Sequence, residues 1–334
     1  MALALVTGGA GFIGAHLVRG LLDRGHRVRV LDNFSSGRPA NLEFVLKQTL
    51  RDLSPGQRLE VDSVEIVHGD ICDLEACRRA CEDVETVYHQ AAMRSVPRSV
   101  DDPRGANENN VNGTLNILIA AAGAKALRVV SASSSSVYGD DPSLPKREDQ
   151  MPAPISPYAA SKLAGEHYCR VFSRTYGLST VSLRYFNVFG PLQDPASQYA
   201  AVIPRFIMWT LQGQPLEIHG DGLQSRDFTY IDNVVSANLL AATAPNLQGE
   251  SFNIACGERL TLMDLVSTIE RITGQHAERN HVEPRRGDVR HTLADISRAG
   301  ASLGYTPIVS FAEGMERTVA YFVPGVAGRS RGSR

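Results

Sequence analysis

Cysteine is scarce in this chain and badly spaced for structural use. The five cysteines (Cys72, Cys77, Cys81, Cys169 and Cys256) are odd in number and form no CxxC pair, which argues against a disulfide framework or a zinc ribbon. Cys77 and Cys81 can share a helix face, but no histidine stands at ligand spacing beside them, so no metal is expected. An apolar run of about 18 residues, the length that spans a membrane, is also missing. The N-terminal apolar stretch is too short for a signal peptide. Reduced thiols and a cytoplasmic location are therefore expected. Nor is there an excess of either charge. Lys and Arg number 34 against 36 Asp and Glu, a net −2, which points away from nucleic acid or an acidic surface as partner. There is no internal repeat.

What is present is a regular alternation in 334 residues of 43% hydrophobic content, long enough for one large domain or two modest ones. The run Ala2–Thr7 reads as a buried strand, followed by a glycine turn and an amphipathic helix. Further strands are read at 27–31, 64–67, 86–89, 127–130 and 180–185, with helices through 111–118 and 158–176. Strands alternating with helices predict an α/β fold, a doubly wound parallel sheet covered on both faces. After Gly190 the texture becomes mixed. Residues 1–190, with returning segments near 228–255, are assigned to the sheet domain. Residues 191–324, less those segments, form a smaller mixed α/β lobe, within which 217–233 reads as strand–turn–strand. The polar, basic 325–334 reads as a disordered tail.

Gly8, Gly9, Gly11 and Gly14 satisfy both GxxGxxG and GxGxxG between a strand and a helix. Glycines there let the backbone approach a pyrophosphate, whose charge the helix N-terminus stabilises. Asp32 ends the second strand, 18 residues beyond Gly14. It can accept from the adenosine ribose hydroxyls and repels a 2′-phosphate, so NAD is expected over NADP. Asp70, after the next strand, reads equally as an adenine contact or as a helix cap.

A second constellation lies between Ser131 and Lys162. A serine run follows a strand, and Tyr158 and Lys162 are four residues apart, one turn on a helix that Ser156-Pro157 would start. An ammonium that close favours the phenolate. Tyrosine as base, a serine as relay and a nicotinamide as hydride acceptor suit an alcohol–ketone interconversion. His89, on an apolar strand, reads as a core residue.

With both sites in hand, the chain resembles an extended short-chain dehydrogenase/reductase, a Rossmann-fold family, and within it a nucleotide-sugar 4-epimerase. The motifs run almost end to end: TGGAGFIG, LDNFSSG, GDICD, QAAMRSVPRS, SSSSVYGD, SPYAASK, LRYFNVFGPLQDP, AAVIPRF, HGDGLQSRDFTYIDN and RRGDVRHTLADIS. The detail is most similar to bacterial UDP-N-acetylglucosamine 4-epimerases. The resemblance implies Tyr158 as base, Lys162 as its partner, and Ser134, four before the tyrosine of VYG, as the catalytic serine. Ser133, Ser135 and Ser136 are its near alternatives. It implies tightly bound NAD held by Gly8, Gly11, Phe12, Ile13, Gly14, Asp32, Asn33, Asp70, Ile71, Gln90, Ala91, Ala92, Asn109, Tyr158, Lys162 and Tyr185. Ser95, Ser135, Ser136 and Gln193 are implied at the hexose. Asn187, Arg226, Arg285 and Asp288 are implied at the pyrophosphate and ribose, with Phe206 beside the uracil and Ala201, Val202 and His219 among the substrate-binding residues. Thr292, four after the R-x-G-D aspartate, is implied as the wall of the hexose pocket, and its small size goes with N-acetylated sugars. A homodimer is the implied assembly.

Ser135 and Ser136 stand where sugar dehydratases carry an acid pair, so elimination of water is not expected. The implied activity is UDP-hexose 4-epimerisation through a 4-keto sugar, with UDP-N-acetylglucosamine and UDP-N-acetylgalactosamine favoured. UDP-glucose and UDP-glucuronate remain alternatives. The rival classes are a net oxidoreductase or decarboxylase using free NAD, and a non-catalytic sensor on the same fold. Cofactor retention discriminates the first, and the intact Ser134, Tyr158 and Lys162 the second.

Overall fold

The computed structural model describes residues 2–196, 201–283 and 289–323. Its strands are β1 (Leu3–Thr7), β2 (Arg27–Asp32), β3 (Arg58–Val61), β4 (Val64–His68), β5 (Thr86–His89), β6 (Arg128–Ser134), β7 (Ser179–Tyr185), β8 (Val188–Phe189), β9 (Leu216–His219), β10 (Ser225–Arg226), β11 (Thr229–Tyr230), β12 (Glu250–Ile254), β13 (Leu260–Thr261) and β14 (Arg279–Val282). Eight of them form one sheet in the order β12-β7-β6-β5-β1-β2-β4-β3. Every neighbouring pair is parallel except β3 with β4, an antiparallel edge.

The central strands carry buried residues on both faces because both faces of the sheet are covered. Side chains alternate across the sheet. Val6, Val30 and Val130 belong to one core with Leu17 and Leu21 of the helix Phe12–Leu22 and Val234 of the helix Ile231–Thr243. Leu5, Leu31, Val87 and Val129 belong to the other, with Ile117 and Leu118 of Gly113–Gly123 and Phe172 of Pro157–Tyr176. Cys77, Cys81 and Cys169 are buried in that second core, which accounts for their placement as small apolar side chains.

The lobe is built from the helices Val202–Leu211, Leu262–Thr273 and Phe311–Phe322 and three strand pairs. The strands read at 217–233 exist but do not pair with one another: β9 pairs β14, β10 pairs β13 and β11 pairs β8. Gly220 and Gly222 at positive φ turn the chain away from a simple hairpin. β12 lies beside β7 in the main sheet. The helix expected through 111–118 is a π turn at Glu108–Asn112 running into Gly113–Gly123. The basic tail, Arg285 and Asp288 lie outside the described residues.

Candidate active site

The strand order reverses between β1 and β5, where the crevice of a doubly wound sheet lies at the C-terminal strand ends. A cavity of about 540 Å³ opens there. All the cofactor residues expected from sequence except Asp70 line it. The glycines are there for close approach. A Cβ on Gly14 would sit 2.1 Å from the Gly8 carbonyl oxygen, and one on Gly37 would sit 2.8 Å from the Asp32 carboxylate. That carboxylate is buried and accepts from Ala10 N at 2.9 Å and Phe34 N at 2.8 Å. Burial raises its pKa, and the two backbone donors oppose the rise. Asp70 instead organises its own turn, accepting from Cys72 N and Asn33 Nδ2, both at 2.8 Å. Asp73 is the helix cap. A crowded glycine turn under a helix N-terminus, with an acid at the next strand end, fits a dinucleotide.

Tyr158 and Lys162 enter the same cleft from the helix Pro157–Tyr176. Ser156 caps that helix by accepting from Ala159 N at 3.1 Å, and Ser99 Oγ accepts from Tyr158 N at 3.0 Å. Ser134 stands at the end of β6, near enough to the phenol to lower its pKa. Ser134 Oγ also accepts from Ser136 Oγ at 2.9 Å and Ser136 N at 3.2 Å. Ser135 and Ser136 continue into the short turn Ser135–Tyr138.

The electrostatics depart from the simple expectation. Burial pushes the Tyr158 phenol above its ordinary value, while Ser134 and the charge of Arg94 pull the other way. The Lys162 ammonium donates to the Ala132 carbonyl at 2.9 Å, and burial lowers its pKa to about 8. His89 is buried between Thr7 Oγ1 and Thr114 Oγ1, and burial followed by the Lys162 charge depresses it to about 3, so it stays neutral.

A second cavity, of about 120 Å³, lies in the lobe and is lined by Val202, Phe206, His219 and Arg226. Arg226 donates to the carbonyls of Ser225 and Arg290 at 3.0 and 3.1 Å. Asn187 Nδ2 donates to Thr292 Oγ1 at 3.3 Å, and Thr292 N to Ser225 O at 3.0 Å. Ser95 lines a third cavity with Asp70 and Asn109. It holds a φ of 114°, a strained conformation for a residue with a side chain. Ala201 is exposed at the start of the helix Val202–Leu211. Gln193 differs from expectation. It is buried, with its amide donating to Val188 O and accepting from Gly190 N, so it closes its own loop.

Residues 4–255 match the NAD dependent epimerase/dehydratase family. The chain belongs to that family. The "UDP-glucose 4-epimerase" of Mycolicibacterium smegmatis is 39% identical over 320 residues, covering 95% of this chain and 97% of that protein. The solved UDP-N-acetylglucosamine 4-epimerase of Methanobrevibacter ruminantium, in complex with UDP-N-acetylmuramic acid, is 38% identical, with TM-score 0.88 over 96% of this chain and 98% of its own. The UDP-glucuronic acid 4-epimerase of Bacillus cereus, in complex with UDP-glucuronic acid and NAD, is 34% identical, with TM-score 0.85 over 96% and 98%. The chain is therefore an NAD-dependent enzyme on a Rossmann-type fold.

For an epimerase of this family the sequence reading omitted several residues. Arg94 lines the main cavity, with its charge acting on Tyr158. Arg38 forms an ion pair with Asp194 of the lobe, and both line the cofactor cleft. Ser35, Ser36 and Asn41 line it too. All but Asn41 and the Arg38 side of the ion pair fall inside the quoted motifs. The signal was a basic residue within a cofactor motif, but only the tertiary structure puts Arg94 beside Tyr158. Among the described residues, no group of three or more His, Cys, Asp or Glu could hold a metal ion, and no helix is long and apolar enough to cross a membrane.

Proposed function

We propose that this chain is a UDP-hexose 4-epimerase that interconverts UDP-N-acetylglucosamine and UDP-N-acetylgalactosamine through a 4-keto sugar. The observation that carries the reading is that Tyr158 and Lys162 line one cleft with Gly8, Gly11 and Gly14, with Ser134 acting on the phenol from the end of β6. NAD, held by Gly8, Gly11, Gly14 and Asp32, would supply the hydride acceptor and donor for the sugar. Tyr158 takes the proton of the 4-hydroxyl and gives it back, with Ser134 bridging the phenol and the sugar oxygen. Lys162, fixed on Ala132 O, would help hold the cofactor and would supply positive charge to the cleft that Tyr158 also lines. Arg226 and Asn187 grip the pyrophosphate by charge-assisted and neutral hydrogen bonds, Phe206 lies beside the uracil, and the hexose stays free to turn. Arg285 and Asp288, outside the described residues, are assigned to the same grip from their motif alone. Because hydride leaves and returns, the reaction has no net redox change, and the cofactor can stay bound.

Thr292 supports the N-acetylated substrates. Its side chain is small, and its hydroxyl accepts from Asn187, a residue we assign to the pyrophosphate. The relatives divide between UDP-glucose, UDP-N-acetylglucosamine and UDP-glucuronic acid, so the choice of sugar is our own. We extend the proposal to a cytoplasmic homodimer. Exposed Val100 at the end of Val96–Asp101 and exposed Val171 and Tyr176 on Pro157–Tyr176 support a helical contact face. Incubation with each UDP-sugar, followed by NMR of the products, tests the function. Epimerisation of the N-acetylated pair is expected, and turnover of UDP-glucuronate alone would overturn the substrate choice.

A further inference from the structure

Under the proton-transfer cluster lies a closed polar network that the mechanism above does not use. Glu166, one turn beyond Lys162, is 5% exposed and Arg184 3%. Glu166 Oε1 accepts from Ser133 Oγ and from Arg184 Nε at 2.9 Å. Its Oε2 accepts from Arg184 Nη2 at 2.7 Å and Ser251 Oγ at 2.9 Å. Arg184 Nη1 donates to the Tyr138 hydroxyl at 2.9 Å, which donates on to Asn253 Oδ1 at 2.7 Å.

The strand register makes this network relevant to the site. Ser133, Arg184 and Asn253 are cross-strand neighbours on β6, β7 and β12, while Ser134 pairs with Tyr185. Adjacent residues on a strand point to opposite faces. Fixing Ser133 and Arg184 therefore fixes the backbone that carries Ser134, which acts on the phenol, and Tyr185, which lines the cofactor cleft with Ser133. Replacing a buried ion pair by apolar residues of similar volume is often neutral or stabilising, so stability alone does not account for one built with this many partners.

We propose that the buried Glu166–Arg184 pair is a positioning unit for the epimerase chemistry, holding Ser134 and Lys162 at their separations from Tyr158. This rests on the function proposed above. Lys162 faces Glu166 and Cys169 along its own helix and His89 from β5. Burial raises the Cys169 thiol to about 11 and lowers His89 to about 3, so both are neutral. Burial also pushes the Glu166 carboxyl up, but Arg184, Ser133 and Ser251 hold it below its ordinary value. Glu166 is thus the anion that faces the ammonium.

The test replaces the pair together, Glu166→Met with Arg184→Met, in the full NAD-loaded chain. The expected result is a folded protein with its nucleotide, KM within about twofold of the parent and kcat at least about tenfold lower. A kcat within about twofold of the parent would overturn the proposal. If the double variant does not fold, Tyr138→Phe and Ser251→Ala each delete one bond to the pair. A fall in kcat at constant KM in either variant supports positioning, and no change in both refutes it. A readout without substrate separates this from failure of the epimerase reading. Lys162 is one of four lysines in the chain, so NMR of labelled lysine resolves its titration. Glu166→Gln should move the Lys162 midpoint to lower pH and leave the other lysines unmoved. An unmoved midpoint refutes the coupling even if the parent turns over no UDP-sugar.

Discussion

The ammonium of Lys162 donates to the carbonyl of Ala132 at 2.9 Å, tying the helix that carries Tyr158 to the strand that carries Ser134. Burial lowers this lysine from 10.5 to about 8, against the smaller opposing effects of Cys169 and Glu166. Two pH effects of opposite sign follow. Between the folded and unfolded values the native state binds fewer protons, so this group's contribution to stability rises with pH through that window and is lost as pH falls through about 8. Turnover should run the other way, falling as pH rises past about 8 and the ammonium is lost. A pH–rate profile checks the sign. A rate still climbing above that point would show that the charge of Lys162 is not used.

Tyr158→Phe removes the proton acceptor and keeps the ring that fills the cleft. Turnover should drop by about a hundredfold or more, the usual scale for a general base. Bound nucleotide and melting temperature should stay at parental values. Single-turnover assays with nucleotide quantified after denaturation distinguish this from a folding defect.

Asp32 should exclude NADP. Its buried carboxylate already accepts from Ala10 and Phe34, and Gly37 lets the neighbouring loop close against it. A 2′-phosphate would bring like charge into that space. The nucleotide released on denaturing the purified protein should be NAD, and Asp32→Ala should narrow the preference.

Thr292→Tyr should abolish turnover of UDP-N-acetylglucosamine while keeping that of UDP-glucose. The acetamido group has to fit in both epimers, and a bulky wall there would cost about 1–3 kcal/mol or more by overpacking. The two sugars assayed side by side decide it. Equal loss on both, or on neither, would remove the wall from the explanation of specificity.

The sheet was legible because its central strands are apolar runs punctuated by glycine and acid, and those signals are local. The dinucleotide cleft followed for the same reason. The β3 edge and the helix Pro39–Leu46 were not, because four alternating residues and a short helix with little amphipathic contrast carry no distinctive period. Tyr158 and Lys162 line one cleft, and Ser134 ends the strand beside it. The direction of the Tyr158 shift was not readable, since spacing reports a neighbouring charge and says nothing of desolvation. Gln193 shows the limit of carrying a role along a motif: its amide is consumed by the backbone of its own loop. Arg94 shows the converse, a site residue whose partner lies far along the chain.

The position of β12 has a consequence for biosynthesis. It covers the edge of β7, yet the chain leaves β7 at Tyr185 and does not return to it until Glu250. While the intervening segment is being translated, a nascent chain carries β7 with one row of backbone hydrogen bonds unmade. That strand is buried along nearly its whole length in the finished fold. An uncovered edge of that kind invites pairing with another chain, and multi-element proteins are most prone to aggregate at such stages. A ribosome stalled before Glu250 should therefore hold a product that needs a chaperone, and one stalled well beyond Ile254 should not.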